Sequence, residues 1–297
     1  MLLITFSRDG GPDQAGVLRD DRVAGIAALA ARAGGEIPGT LLGLIRAGDS
    51  AVARIADLLA DTPDSELLPV DEVTLRAPFR PGKIIGVGLN YTEHIAESAR
   101  ALDTDKALPQ RPVLFSKPGT AVVGPGEPIL HNGDLTAQLD WECELAVVIG
   151  RTAKKVAERD ALDHVFGYSI VNDISARDQR RSGQWFFSKG QDSFAPFGPA
   201  VRTVGDVPDP HALDLSLRVN GEVKQKANSR YMLFRIPQLI ADITSGITLE
   251  PGDVIATGSP AGVGAGLTPP QFLRPGDVVE ATVESIGTLR NPVVDAR

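Results

Sequence analysis

Acids and lysines set into apolar stretches are the residues of this chain best suited to chemistry. The segment Leu139-Asp140-Trp141-Glu142-Cys143-Glu144-Leu145-Ala146-Val147-Val148-Ile149-Gly150 places an acid at every second position and then becomes continuously apolar. Alternate side chains of a strand share a face, so Asp140, Glu142 and Glu144 are expected to project together. Side chains two apart lie roughly 6.5–7 Å from each other and those four apart about 13 Å. One cation can therefore take Glu142 with Glu144, or Asp140 with Glu142, but not all three. The apolar run puts Glu144 at the buried end, where an unpartnered carboxylate is costly, and so Glu142/Glu144 is the preferred pair. Asp173 ends a second apolar stretch, 165–172, and supplies a third acid. Three carboxylates without a nearby His or Cys suit a hard cation, Mg²⁺, Mn²⁺ or Ca²⁺, and not zinc. The plain alternative is a solvated strand face. Residues 279–284 read that way, with Glu280, Thr282 and Glu284 alternating with Val279, Ala281 and Val283.

A second constellation begins at Asn90-Tyr91-Thr92-Glu93, the pattern of a helix capping box. A helix over about 91–100 makes His94 and Glu97 neighbours at i and i+3. A carboxylate beside an imidazole orients it and raises its basicity, which prepares a general base. An exposed helix pair has the same spacing. Lys117 in FSKPGT and Lys189 in FFSKGQD interrupt apolar or aromatic surroundings, although most lysines sit in water. Gly86-Val87-Gly88 lacks the third glycine of a dinucleotide fingerprint. The glycine-rich stretch 257–266 lacks the Gly-Lys-Ser/Thr ending of a P-loop, but its N–H groups can receive a carboxylate or an oxyanion.

These residues need elements to hold them. Residues 1–75 read as a small N-terminal α+β domain, with short strands near 2–6, 15–18 and 23–26 and one or two helices over 40–60. Residues 76–297 read as the main, β-rich domain. There Pro-Gly launches a strand three times, in PGKIIGVG, PGDVIATG and PGDVVEAT. Asn220-Gly221 marks a hairpin turn. Ile236, Leu239, Ile240 and Ile243 form one helical stripe, with Pro237 in the first turn and Gly246 as the expected C-cap.

Composition narrows the classes. The 297 residues are 42% apolar and 23% charged, enough for a sizeable core and too apolar for a disordered chain. A formal charge of −8 argues against a nucleic-acid partner, while a local Lys or Arg can still hold a small anion. No uncharged apolar run approaches the length of a membrane span. Cys143 is the one cysteine, which excludes internal disulfides and suggests a reducing, cytoplasmic setting.

In their order along the chain, GVGLNYTEHIAES, PVLFSKPGTAVVGPGEPI, LDWECELAVVIG, VFGYSIVNDISARD, QWFFSKGQDSFAPFGP, LRVNGE and LEPGDVIATGSPAGVG resemble the fumarylacetoacetate hydrolase family over roughly residues 80–295. The resemblance implies an α+β, β-rich composite roll and a homodimer. It implies Mg²⁺ or Mn²⁺ held by Glu142, Glu144 and Asp173, with His94 and Glu97 activating water. Lys189 and Thr257 would neutralise developing charge, and Lys117 would lie near the bound acid. Many members carry x-Gln after Ser-Ala-Arg-Asp; here Gln179-Arg180 follows, which puts Arg180 in that substrate-contacting place and favours a second carboxylate. The expected activity is metal-dependent hydrolysis of a C–C bond in a 2,4-dioxo acid of the acylpyruvate or fumarylpyruvate type, through a metal-bound enolate. The rivals are decarboxylation or isomerisation of oxaloacetate-like or 2-oxo-dioic acids in aromatic catabolism, and a non-catalytic metal-binding protein.

Overall fold

The computed structural model describes residues 1–33, 37–92 and 108–296. His94 and Glu97, with most of the expected 91–100 helix, lie outside the described residues. Two strands form the centre, Cys143–Ile149 and Val165–Asn172, and both are buried at every position. Such strands need cover on each face, and side-chain parity shows what supplies it. Cys143, Leu145, Val147 and Ile149 pack with a five-stranded sheet and the helix Ile236–Gly246. Ala146 and Val148 pack instead with the N-terminal helices Ile26–Ala33, Leu41–Ala47 and Asp49–Ala60.

Among the described residues the large sheet has twelve strands. Its path runs from Leu68–Pro69 through Arg22–Gly25, Gln14–Arg19 and Leu2–Ser7 to Ala195–Thr203. It continues through Val165–Asn172, Cys143–Ile149, Val254–Ala256 and Ile84–Gly88 to Val113–Lys117. Leu2 lies opposite Arg202, so the strands of residues 1–75 continue the sheet of the main segment. The five-stranded sheet runs Glu222–Asn228, Asp214–Val219, Val278–Val283, Gly287–Asp295, Ile129–His131. The fold is α+β and β-rich, as expected, and among the described residues no helix is long and apolar enough to cross a membrane.

Local chemistry explains most elements. The 40–60 stretch is two helices, divided at Gly48, whose φ of 75° few other residues tolerate. Asn220 and Gly221 both have positive φ, 52° and 81°, which a two-residue hairpin turn of the mirror-image type demands. Val278–Val283 alternates half-buried and buried, the solvated face expected around Glu280. Three local readings differ. Ile26 opens a helix instead of closing a strand. Gly246 is the last residue of its helix and Ile247 is the C-cap. The acid-bearing stretch is not one strand: Leu139–Asp140 pairs with Ser175–Ala176 in a small separate sheet, and a break at Trp141-Glu142 precedes Cys143–Ile149.

Candidate active site and metal centre

The break decides which acids meet. Cys143 lies opposite Asn172 in the antiparallel pair. One step beyond, Asp173 N–H donates to the Glu142 carbonyl at 2.8 Å, and Glu142 N–H donates to the Asn172 side chain at 3.1 Å. Glu142, Glu144 and Asp173 thereby converge, with ligand oxygens within 4.8 Å of one another. They are 5%, 1% and 0% exposed. Asp140 turns away: its carboxylate accepts from Gly264 N–H at 2.6 Å, Ala265 N–H at 3.0 Å and Arg177 Nε at 2.8 Å.

Three cations answer four acids here. Lys189 Nζ donates to Glu142 at 3.0 Å, to Asp173, and to Ser175 Oγ at 2.8 Å. Burial alone would lower the Lys189 pKa, but Asp173 and Glu142 raise it, so it remains an ammonium. Lys117 is wholly buried and donates to Asp173, to the Ile174 carbonyl at 3.1 Å and to the Lys189 carbonyl. Burial pushes Lys117 down to about 8 against the pull of Asp173. Arg177 bridges Asp140 and Glu142, the latter at 2.6 Å; burial would lower it, yet those two acids raise it. Glu144 receives one N–H, from Gly258 at 2.8 Å. Burial, with the charges of Asp173 and Glu142, holds the Glu144 carboxyl well above the usual range. The donor set is hard, compact and short of positive charge at Glu144, which fits a divalent cation.

The glycine-rich loop is clasped from several sides, and the carboxylates its N–H groups receive are the protein's own Glu144 and Asp140. Thr257 is fully buried and its hydroxyl donates to the Leu145 carbonyl at 2.8 Å, anchoring the loop to the central strand. Gln225 donates to Ser259 Oγ and the Pro260 carbonyl, and Trp141 Nε1 donates to the Gly262 carbonyl at 3.0 Å. Asn90 donates to the Thr257 carbonyl at 2.7 Å and exchanges hydrogen bonds with Phe234, so it ties the segment leading to His94 onto this loop. Beside it Leu89 has φ 58°, a strained setting for leucine.

At the other side, two glycines of Ile84–Gly88 make room for rings. A Cβ on Gly86 would lie 2.1 Å from Phe115, and one on Gly88 would lie 2.4 Å from Trp185. The two rings are 5.4 Å apart. Lys189 Nζ sits 4.8 Å from the Phe115 centroid, and the Arg180 guanidinium sits 4.8 Å from that of Trp185. Sequence reasoning singled out Glu142, Glu144, Asp173, Lys117, Lys189, Arg180 and Thr257, and all lie in or around this cluster. It missed Arg177 and the clasp made by Asp140. The pairing of Leu139–Asp140 with Ser175–Ala176, which brings Asp140 and Arg177 together, leaves no signal in spacing.

Residues 83–294 match the family model described as fumarylacetoacetate (FAA) hydrolase, C-terminal. The chain belongs to the fumarylacetoacetate hydrolase family. It is 44% identical over 266 residues to oxaloacetate tautomerase YisK of Bacillus subtilis, covering 86% of this chain and 87% of that one. It is 42% identical over 264 residues to the human mitochondrial oxaloacetate tautomerase FAHD2A, covering 87% and 81%. Among solved structures of the family, the maleylpyruvate hydrolase of Sphingobium sp. SYK-6, in complex with manganese (II) ion and pyruvate, superposes with a TM-score of 0.81 at 33% identity, covering both chains fully. Members of the family are enzymes.

Proposed function

We propose that this chain catalyses keto–enol tautomerisation of a 2-oxo acid of the oxaloacetate type. The observation that carries it is the convergence of Glu142, Glu144 and Asp173, buried around the Lys189 ammonium, in a chain 44% identical to an oxaloacetate tautomerase. These three carboxylates would hold Mg²⁺ or Mn²⁺, which when bound supplies Lewis-acid polarisation of a keto oxygen. The chain's own residues do the rest. Arg177 and Lys117 fix Glu142 and Asp173 in place. Lys189, kept charged by its acids and with its three N–H groups on Glu142, Asp173 and Ser175, would act as a fixed positive charge beside the oxygen on which negative charge develops. Tautomerisation moves a proton between C3 and the C2 oxygen, so it also needs a base at C3. His94, which the family resemblance pairs with Glu97 to activate water, would here act as that base instead. Thr257 would contribute by holding its loop against the central strand.

Hydrolysis of a 2,4-dioxo acid, the activity first expected from the family resemblance, stands as the second reading. The structural likeness to a maleylpyruvate hydrolase favours it. The two separate in one panel. Purified protein with Mg²⁺ or Mn²⁺ is given enol-oxaloacetate, keto-oxaloacetate and acylpyruvates, while tautomerisation, CO₂ release and C–C cleavage are followed. Rapid interconversion of the oxaloacetate forms, with cleavage slower by at least tenfold, supports the tautomerase. Cleavage alone transfers the assignment to the hydrolase, and CO₂ release alone to the decarboxylase.

A further inference from the structure

Asp140 is not among the three converging acids, yet it is fully buried beside them. Its Oδ1 accepts from Trp141 N–H at 2.8 Å and Gly264 N–H at 2.6 Å, and its Oδ2 from Ala265 N–H at 3.0 Å and Arg177 Nε at 2.8 Å. Four donors hold the carboxylate in one orientation, and two routes lead from it to the converging acids. One is the guanidinium of Arg177, which also donates to Glu142 Oε1 at 2.6 Å, while Glu142 Oε2 takes Lys189 at 3.0 Å. The other is the glycine-rich loop. Gly264 and Ala265 rest on Asp140, and Gly258 of the same loop donates to Glu144 at 2.8 Å. Gly264 can come this close because it lacks a Cβ, which would lie 2.0 Å from the Gln271 carbonyl oxygen and 2.7 Å from Asp140 Oδ1. Asp140 thus stands behind two of the three acids.

We propose that Asp140 is a positioning residue that sets the cation affinity of the site without touching the cation, by holding Arg177 as a fork between two acids. The proposal rests on the reading that Glu142, Glu144 and Asp173 take a divalent cation. A guanidinium shared by two carboxylates pulls less on each, and its planar fork fixes the direction in which Glu142 points. Without the Asp140 charge, the guanidinium falls wholly on Glu142 and a cation must compete with it. The same change takes the formal count from four acids against three cations to three against three, so a dication is attracted less.

The test is calorimetric titration of Mg²⁺ and Mn²⁺ into chelator-stripped protein without substrate, with thermal unfolding of the metal-free protein alongside. Asp140→Asn is expected to weaken cation binding roughly ten- to hundredfold, the usual effect of losing a group that orients a ligand. Arg177→Lys keeps a positive charge but replaces the fork by a point charge, and should lose roughly tenfold or more. The double variant should bind no more weakly than Asp140→Asn alone, because the two residues act as one unit. A merely structural Asp140 would lower the melting temperature and leave the affinity of the folded protein unchanged. Wild-type affinity in either single variant, or losses that multiply in the double variant, overturns the proposal. A wild type that binds neither cation overturns it together with the metal reading. A wild type that binds the cation but leaves oxaloacetate unconverted removes the tautomerase reading alone, and the affinities of the variants still decide the role of Asp140.

Discussion

Lys189 donates to Glu142 and Asp173 together while Lys117 donates to Asp173 from within the core. Both lysines are buried, at 6% and 0% exposure, so each acts with little screening. Lys189→Met keeps the length of the side chain and removes its charge. It is expected to lower kcat/KM by roughly 10²–10³, or about 3–4 kcal/mol, because a fixed positive charge beside a developing oxyanion is lost. It should also cost about 3–5 kcal/mol of stability in metal-free protein, since two buried acids lose their common partner. Steady-state kinetics and urea unfolding read the two effects, and a variant with wild-type kcat/KM would take Lys189 out of the chemistry. At this scale the sequence was informative where an ionisable group interrupted an apolar run, as at Glu144, Asp173 and Lys189. Arg177 was illegible for a physical reason. Its partners Asp140 and Glu142 lie more than thirty positions away, and only the pairing of two two-residue strands brings them together.

Single elements were legible where their cause is local. The apolar stripe of Ile236–Gly246 and the Asn220-Gly221 turn follow from periodicity and turn chemistry, whereas the 40–60 stretch read as one or two helices and the left-handed Gly48 makes it two. The interruption at Trp141-Glu142 was not, because alternating acids look the same in one strand or two. The start of Ile236–Gly246 carries a testable pH dependence. Ile236 N–H donates to Nε2 of His211 at 3.1 Å, which requires that nitrogen to be unprotonated. Burial, with the charge of Arg235, holds His211 below its usual 6.5. The unfolded chain therefore takes up this proton more readily, and the stability His211 contributes is full above about pH 6.5 and is lost as pH falls through its folded pKa. His211→Ala should lower stability by about 1 kcal/mol at pH 7, as loss of a helix-capping acceptor does. It should also flatten the decline between pH 6.5 and 5. Thermal unfolding across that range checks both, and an unchanged decline would remove His211 as a contributor.

Across the whole molecule, the twelve-stranded sheet joins segments far apart in the chain, including the parallel pair Val254–Ala256 and Ile84–Gly88. Such pairings depend on non-local cover and leave no periodicity, so strand existence was readable and strand order was not. The division at residue 75 remains a proposal about units, and its energetic side can be measured. Residues 1–75 cover Ala146, Val148 and Phe197 and pair along the edge of Ala195–Thr203. A protein comprising 76–297 alone is expected to aggregate or unfold at room temperature, because it exposes that apolar face and an unpaired strand edge. A soluble fragment with the wild-type melting temperature would contradict this. Homodimerisation, proposed from the family resemblance, is read by light scattering, where a mass of one 31.4 kDa chain would refute it. Glu142, Glu144 and Asp173 are proposed to hold a divalent cation on which turnover of a 2-oxo acid depends. This proposal is tested most directly by oxaloacetate tautomerisation in chelator-stripped protein titrated with Mg²⁺ or Mn²⁺, with Asp173→Asn in parallel. Activity is expected to be negligible without metal, to recover saturably with it and not to recover in Asp173→Asn; full activity in metal-free wild type would exclude a metal-dependent reaction.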